Sequence, residues 1–195
     1  MSILVAKIIW VIGVVGWYVI RFPHERKSKR TPVKKAARTP KEWILLTIST
    51  TGLGILPAIF VFFNEWPKAF NYTYNPVLSI IGALIFILAL WMFYRTHKDL
   101  GKNWSVSLDI RQNHKLITHG VYAKLRHPMY TAFWLWALAQ AFLLPNFIAG
   151  FSGLIGFGIL FFARVGSEEA LMHQEFDDEY ASYVKKTHRI IPFIY

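Results

Sequence analysis

Residues 129–163, MYTAFWLWALAQAFLLPNFIAGFSGLIGFGILFFA, run for 35 positions without a charged side chain. As one straight helix this stretch would extend about 52 Å at ~1.5 Å per residue, well beyond the ~30 Å hydrocarbon core of a bilayer. Pro145-Asn146, near its middle, is a turn signal. The run is therefore read as a tight hairpin of two membrane helices, about 129–144 and 147–164. Gly150, Gly153 and Gly156 recur every third residue in the second helix. Small residues there permit the close contact that helices in lipid need, since no hydrophobic drive holds them together.

The rest of the chain fits the same solvent. It is 54% apolar and 17% aromatic, with eight tryptophans in 195 residues, too apolar for an ordinary soluble domain of this size. Further apolar runs occupy 2–20, 43–63 and 77–94. The first lacks a small-x-small cleavage site and is followed, not preceded, by a basic segment, so it is read as a retained helix and not a signal peptide. Lys7, near its outer end, is placed to snorkel. Pro57 predicts a kink in the second run, and Asn75-Pro76 a start for the third. The expected fold class is an all-α integral membrane protein, multi-pass, a single domain over 1–195 with five transmembrane helices.

The net charge of +11 tests that count. Segment 21–42 carries nine Lys and Arg, segment 95–128 seven, and the tail Arg164, Lys185, Lys186 and Arg189, whereas 64–75 carries only Lys68. With five spans all three basic segments share one face, which predicts the amino terminus outside and the carboxyl terminus cytoplasmic. Basic residues lying between apolar spans are explained by topology, so no nucleic-acid partner is expected. The stretch RFPHERKSKRTPVKKAARTPK fits an anchor at the membrane lipid surface. Cysteine is absent, which excludes disulfides, thiolate ligands and a Cys nucleophile. His114, His119 and His127 have no ligand spacing and no acid among them, so no metal is expected. Gly156-Phe157-Gly158 lacks a third glycine and lies inside a span, so it is no dinucleotide fingerprint.

Segments 95–128 and 164–195 bracket the terminal hairpin on its predicted cytoplasmic side. His127-Pro128 stands where the first hairpin helix starts, and its unpaired N–H groups favour an anion. The second helix returns to Arg164, four residues before Glu168, on a shared face if the helix continues. Each residue has a plain structural explanation: a helix start, an interfacial tyrosine at 130, an end charge, a solvated glutamate. Together they converge on one hairpin mouth and outline a pocket for a zwitterionic or cationic ligand beside a lipid-borne anion.

Two blocks also resemble a known family. LITHGVYAKLRHPMY is similar to the signature of the isoprenylcysteine carboxyl methyltransferases and their phospholipid-methyltransferase relatives, approximately L-V-T-x-G-x-Y followed by R-H-P-x-Y-x-G. EEALMHQEFDDEYASYVKKTHRIIPFI resembles the second signature, paired glutamates and then F-G-x-E-Y, and LGKNWS the loop before the first block. The resemblance covers residues 95–195. Ala132 and Asp177 stand where the family pattern has glycine.

That resemblance implies an integral membrane methyltransferase using S-adenosylmethionine and releasing S-adenosylhomocysteine. By the same resemblance the cofactor contacts His114, Lys115, Leu116, Ile117, Tyr122, His127, Pro128, Met129, Tyr130 and Glu168. Arg164 falls at a substrate position, and Arg164 and Glu168 are the candidate catalytic pair. The implied partner is a lipophilic or lipidated acceptor, and its ionised carboxylate suits Arg164 better than an amine headgroup does. The alternatives are a phospholipid N-methyltransferase and a non-catalytic lipid-binding membrane protein. Transport finds only weak support, because the middles of the spans hold no acid. Oligomeric state is not legible.

Overall fold

A computed structural model describes residues 1–29, 33–35, 39–101, 110–111 and 115–192. The helices are α1 (Ile3–Lys29), α2 (Pro40–Thr50), α3 (Leu56–Phe62), α4 (Pro76–Leu100), α5 (Pro128–Leu143) and α6 (Phe147–Val184). A π-helical turn, Thr51–Ile55, joins α2 to α3 in one passage, so the described residues make five helical passages. A short antiparallel pairing links β1 (Val33–Lys35) with β2 (Ile110–Arg111).

Helix starts follow the sequence signals. Thr39, Asn75 and Asn146 each cap a helix by accepting backbone N–H groups, and proline follows the first two at the opening position. Helix ends do not follow the apolar runs: α1 continues past residue 20 to Lys29, α4 past 94 to Leu100, and α6 past 164 to Val184. Apolarity marks where lipid ends, whereas hydrogen bonding marks where a helix ends, and α1 runs on even through Pro23.

Pro57 acts differently from a simple kink. It has no N–H, and one position earlier Leu56 N–H bonds Thr51 O, five residues back. Gly52 O accepts instead from Gln140 Nε2 at 3.0 Å and Ser152 Oγ at 2.7 Å. The α2 passage and α6 cross closely here. A Cβ on Gly52 would collide with Ser152 O, and one on Gly156 would lie 2.8 Å from Ile48 O. The glycine spacing in the second hairpin helix is used as expected.

Contacts assign the ends of the bundle. At one end Tyr74 Oη donates to Met1 O at 2.9 Å and Lys7 Nζ lies 2.8 Å from Glu65 Oε1. Lys7 thus reaches an acidic partner, not lipid headgroups alone. Asn146 Nδ2, in the hairpin turn, donates to Asn71 Oδ1 at 2.7 Å. At the opposite end the rings of His24 and His97 meet at 4.8 Å, and Arg126 Nε donates to Glu169 at 3.1 Å. The five passages therefore alternate in direction.

Four passages are long and apolar enough to cross a membrane by length and composition: Ile3–Arg26, Pro40–Phe62, Pro76–Leu100 and Phe147–Val184. The 16 residues of α5 are shorter, yet α5 packs between α4 and α6 and runs between the same two ends. Leu84, Ile87, Ile155 and Phe162 point outward and exposed, as lipid-facing side chains do. The chain is an all-helical, multi-pass integral membrane protein. From Phe147 to the non-helical Asp177, α6 rises about 45 Å at ~1.5 Å per residue, so its part from about Glu168 onward projects beyond a ~30 Å core.

Candidate functional site

A cavity of about 660 Å³ opens at the end of the bundle where α5 begins. One wall is the segment Lys115, Leu116 and Ile117 with Tyr122; another is Met129 and Tyr130 on α5, next to His127; a third is Arg164 and Glu168 on α6. The floor is apolar and formed by Val14, Leu53, Trp136 and Phe157. From Arg164 down to Phe157 the depth along α6 is about 10 Å at ~1.5 Å per residue. Pro128 is the buried first residue of α5 and is not in the lining. His114 falls outside the described residues.

The loop carrying Tyr122 is fixed from α4. Asp99 Oδ2 accepts Val121 N–H at 2.9 Å, and Gly120 adopts φ +62°, where an added Cβ would also strike that carboxylate. Burial, and then the nearby Glu168 carboxylate, push the Tyr122 phenol well above its ordinary value, so it stays neutral.

The tail folds back onto the His127 segment. Arg126 N–H and His127 N–H donate to His188 O and Arg189 O at 2.7 and 2.9 Å, and His188 N–H donates to Lys124 O at 3.0 Å. Tyr183 Oη donates to Tyr122 O at 2.7 Å, and Thr131 Oγ1 to Ile190 O at 2.8 Å. The two sequence blocks thus form one backbone-bonded unit at the mouth of the hairpin.

Charges are distributed in two sets. Glu168 Oε2 accepts the Tyr130 hydroxyl at 2.6 Å and lies 3.9 Å from His127 Nδ1. Glu169, one residue on, leaves the cavity and joins Arg126 at 3.1 Å, Arg189 at 2.8 Å and His127 Nε2 at 3.3 Å. Burial pushes the Glu169 carboxyl up, but the bonds from His127, Arg189 and Arg126 prevail and hold it well below the usual carboxylate range. Arg164 Nη1 lies 3.1 Å from Glu42 Oε1 on α2, and both residues are buried, at 8% and 6% exposure. Sequence reading missed Glu42. Its one signal is an acid just inside the start of an apolar span, and its partner is far along the chain. It also missed α1, whose Trp17, Arg21 and Glu25 line the cavity.

Fold and site together define a class: an integral membrane helical protein with a cavity that is polar at the mouth and apolar at the floor. The family model for the isoprenylcysteine carboxyl methyltransferase (ICMT) family matches residues 80–174, from α4 through most of the site. Over 83 residues the chain is 39% identical to the protein-S-isoprenylcysteine O-methyltransferase of Schizosaccharomyces pombe, covering 43% of this chain and 35% of that one. It is 34% identical over 118 residues to the Oryza sativa subsp. indica protein named "Probable protein-S-isoprenylcysteine O-methyltransferase", covering 60% and 59%. The Homo sapiens protein-S-isoprenylcysteine O-methyltransferase is 30% identical over 131 residues, covering 66% and 45%. Among solved structures, that of the eukaryotic intramembrane Ras methyltransferase ICMT aligns with a TM-score of 0.53 and 26% identity, over 80% of this chain and 54% of that one. The family resemblance read from the two sequence blocks is borne out. The chain spans between about a third and three fifths of the length of these curated relatives.

Proposed function

We propose that this chain is an S-adenosylmethionine-dependent methyltransferase that esterifies the carboxylate of a lipid-like, isoprenylcysteine-type acceptor at the cytoplasmic membrane interface. One observation carries the reading: a single cavity joins a charged mouth to an apolar floor, with Arg164 at the junction. A water-soluble donor and a lipid-embedded acceptor need such a meeting place.

The residues present fit the cofactor. Glu168 offers a carboxylate, the first turn of α5 suits an anion, and the buried Tyr180 hydroxyl lines the cavity with no hydrogen-bond partner among the described residues. When bound, S-adenosylmethionine supplies an activated methyl group on sulfur. Glu168 holds its ammonium group; His127 and the first turn of α5 hold its carboxylate; Tyr122, Tyr130 and the segment 115–117 shape the adenosine site.

Arg164 orients the acceptor carboxylate, which is already ionised at neutral pH and needs no general base. Acceleration then comes from positioning and electrostatics. An amine headgroup would first have to lose a proton. The acceptor tail lies along the apolar floor and reaches it laterally between helices. The test is titration of purified protein in detergent with S-adenosylmethionine, followed by methylation of a prenylcysteine analogue and of phosphatidylethanolamine. Methylation of the analogue supports the reading; methylation of phosphatidylethanolamine alone replaces it with phospholipid N-methylation, and absence of cofactor binding ends both.

A further inference from the structure

We infer that Glu42 is a positioning residue for methyl transfer: its carboxylate anchors the Arg164 guanidinium on the α2 side of the cavity and leaves Glu168 to the cofactor. The inference rests on the reading of Arg164 as the acceptor's partner.

Arg164 and Glu168 lie four residues apart on one helix, the spacing at which opposite charges pair by default. In this structure each has a partner from another helix. Arg164 Nη1 is 3.1 Å from Glu42 Oε1, and Glu168 Oε2 accepts the Tyr130 hydroxyl at 2.6 Å. An arginine lying against Glu168 would neutralise the carboxylate assigned to the cofactor and turn its own fork from the acceptor. Glu42 is the competing carboxylate. It sits in the first turn of α2, where the helix dipole favours an acid, and Thr39 caps that turn by accepting Glu42 N–H at 3.2 Å. Close packing of α2 on α6 through Ile48 and Gly156 fixes the distance between the two side chains. Glu42 lies on α2, outside the region matched by the family model.

Removing the Glu42 charge takes from the buried guanidinium its carboxylate at 3.1 Å, and the nearest acid on its own helix face is Glu168. Two ligands are then affected at once. The acceptor loses an oriented Arg164, and the cofactor loses part of Glu168. A purely structural role for Glu42 would instead reduce the amount of active protein, lowering the apparent kcat while leaving KM unchanged.

The experiment uses the full chain in detergent, radiolabelled S-adenosylmethionine and N-acetyl-S-farnesyl-L-cysteine. Glu42→Gln is expected to raise the acceptor KM about tenfold and to weaken S-adenosylhomocysteine binding several-fold, with Glu42→Asp restoring much of both. Combined with Arg164→Gln, it should add little to the loss caused by Arg164→Gln alone, because Glu42 acts through that residue. Should Glu42→Gln fail to insert, the charge-neutral pair Glu42→Gln/Arg164→Gln against Arg164→Gln carries the same comparison. An unchanged acceptor KM in Glu42→Gln, or full additivity with Arg164→Gln, overturns the inference while the proposed activity stands. Wild-type protein that binds the cofactor but leaves the farnesylcysteine unmethylated overturns the acceptor reading and the role of Glu42 with it.

Discussion

Glu168 and Glu169, adjacent on α6, face different networks: Glu168 lines the cavity and accepts the Tyr130 hydroxyl, whereas Glu169, which is not in the lining, binds Arg126, Arg189 and His127. One residue of helix turns a side chain by about 100°, enough to separate a ligand-facing carboxylate from one that holds the tail. Substitutions at the two positions should therefore fail in different ways.

Glu168→Gln should weaken S-adenosylhomocysteine binding about tenfold to a hundredfold, the range for losing one charged hydrogen bond of ~1.5–3 kcal/mol. Its side chain is about a third exposed, at 31%, so thermal unfolding in detergent should barely move. Calorimetric titration decides the point, and an unchanged affinity would remove Glu168 from the site.

Glu169→Ala should instead destabilise the docked tail. It leaves Arg126 and Arg189 without their shared carboxylate, and breaking a buried pair costs ~3–5 kcal/mol; Arg189 is a third exposed, so about 2–3 kcal/mol is the fitting figure after screening. The folded carboxyl lies below its ordinary value of 4.5. Its stabilisation is therefore complete above 4.5 and is lost only as pH falls through the lower folded value. Melting at pH 6 and 8 should show the same deficit for the variant, with limited proteolysis cutting near residues 185–192. Equal protease resistance in variant and wild type would show that Glu169 does not hold the tail.

Much of this site was legible before the fold was. The blocks around Arg126-His127-Pro128 and Glu168-Glu169 carried the resemblance, and the charge-free run from Met129 carried the hairpin. What was hidden depended on distant partners. Glu42 reads as one acid among basic neighbours until α2 packs on α6 and sets it against Arg164. Pro57 signals a disturbance, but a π turn in place of a kink depends on Gln140 and Ser152 meeting the freed Gly52 carbonyl.

Asp177 shows the reverse, a departure from the family pattern that the backbone explains. It stands where the pattern has glycine, and it adopts φ 39° and ψ −116° within α6. That region suits glycine and strains any residue with a Cβ, by about 1 kcal/mol or more. Asp177→Gly should raise the unfolding temperature by about 2–4 °C for each ~1 kcal/mol relieved in a chain of this size, with cofactor affinity unchanged because Asp177 is exposed and not in the cavity lining. A lower unfolding temperature would mean that Asp177 makes a compensating interaction stronger than its strain.

Gly54 tests the apolar end of the cavity. A glycine inside a helical passage costs ~1 kcal/mol relative to alanine, and packing accounts for Gly52, whose Cβ would strike Ser152. Packing does not account for Gly54: a Cβ there meets nothing within 4 Å, and the residue lines the cavity near Leu53. Space beside it is therefore open to an acceptor tail, and a larger side chain should occupy that space without disturbing the α2–α6 crossing. Gly54→Leu should leave S-adenosylhomocysteine affinity within about twofold, since the cofactor residues lie toward the mouth whereas Gly54 lies beside Leu53 of the apolar floor. Turnover of a farnesylated acceptor should fall about tenfold or more, in keeping with ~1.4 kcal/mol per factor of ten for a displaced tail, and an acceptor with a short alkyl thioether should be affected less. Equal losses on long and short acceptors would place the tail elsewhere in the bundle.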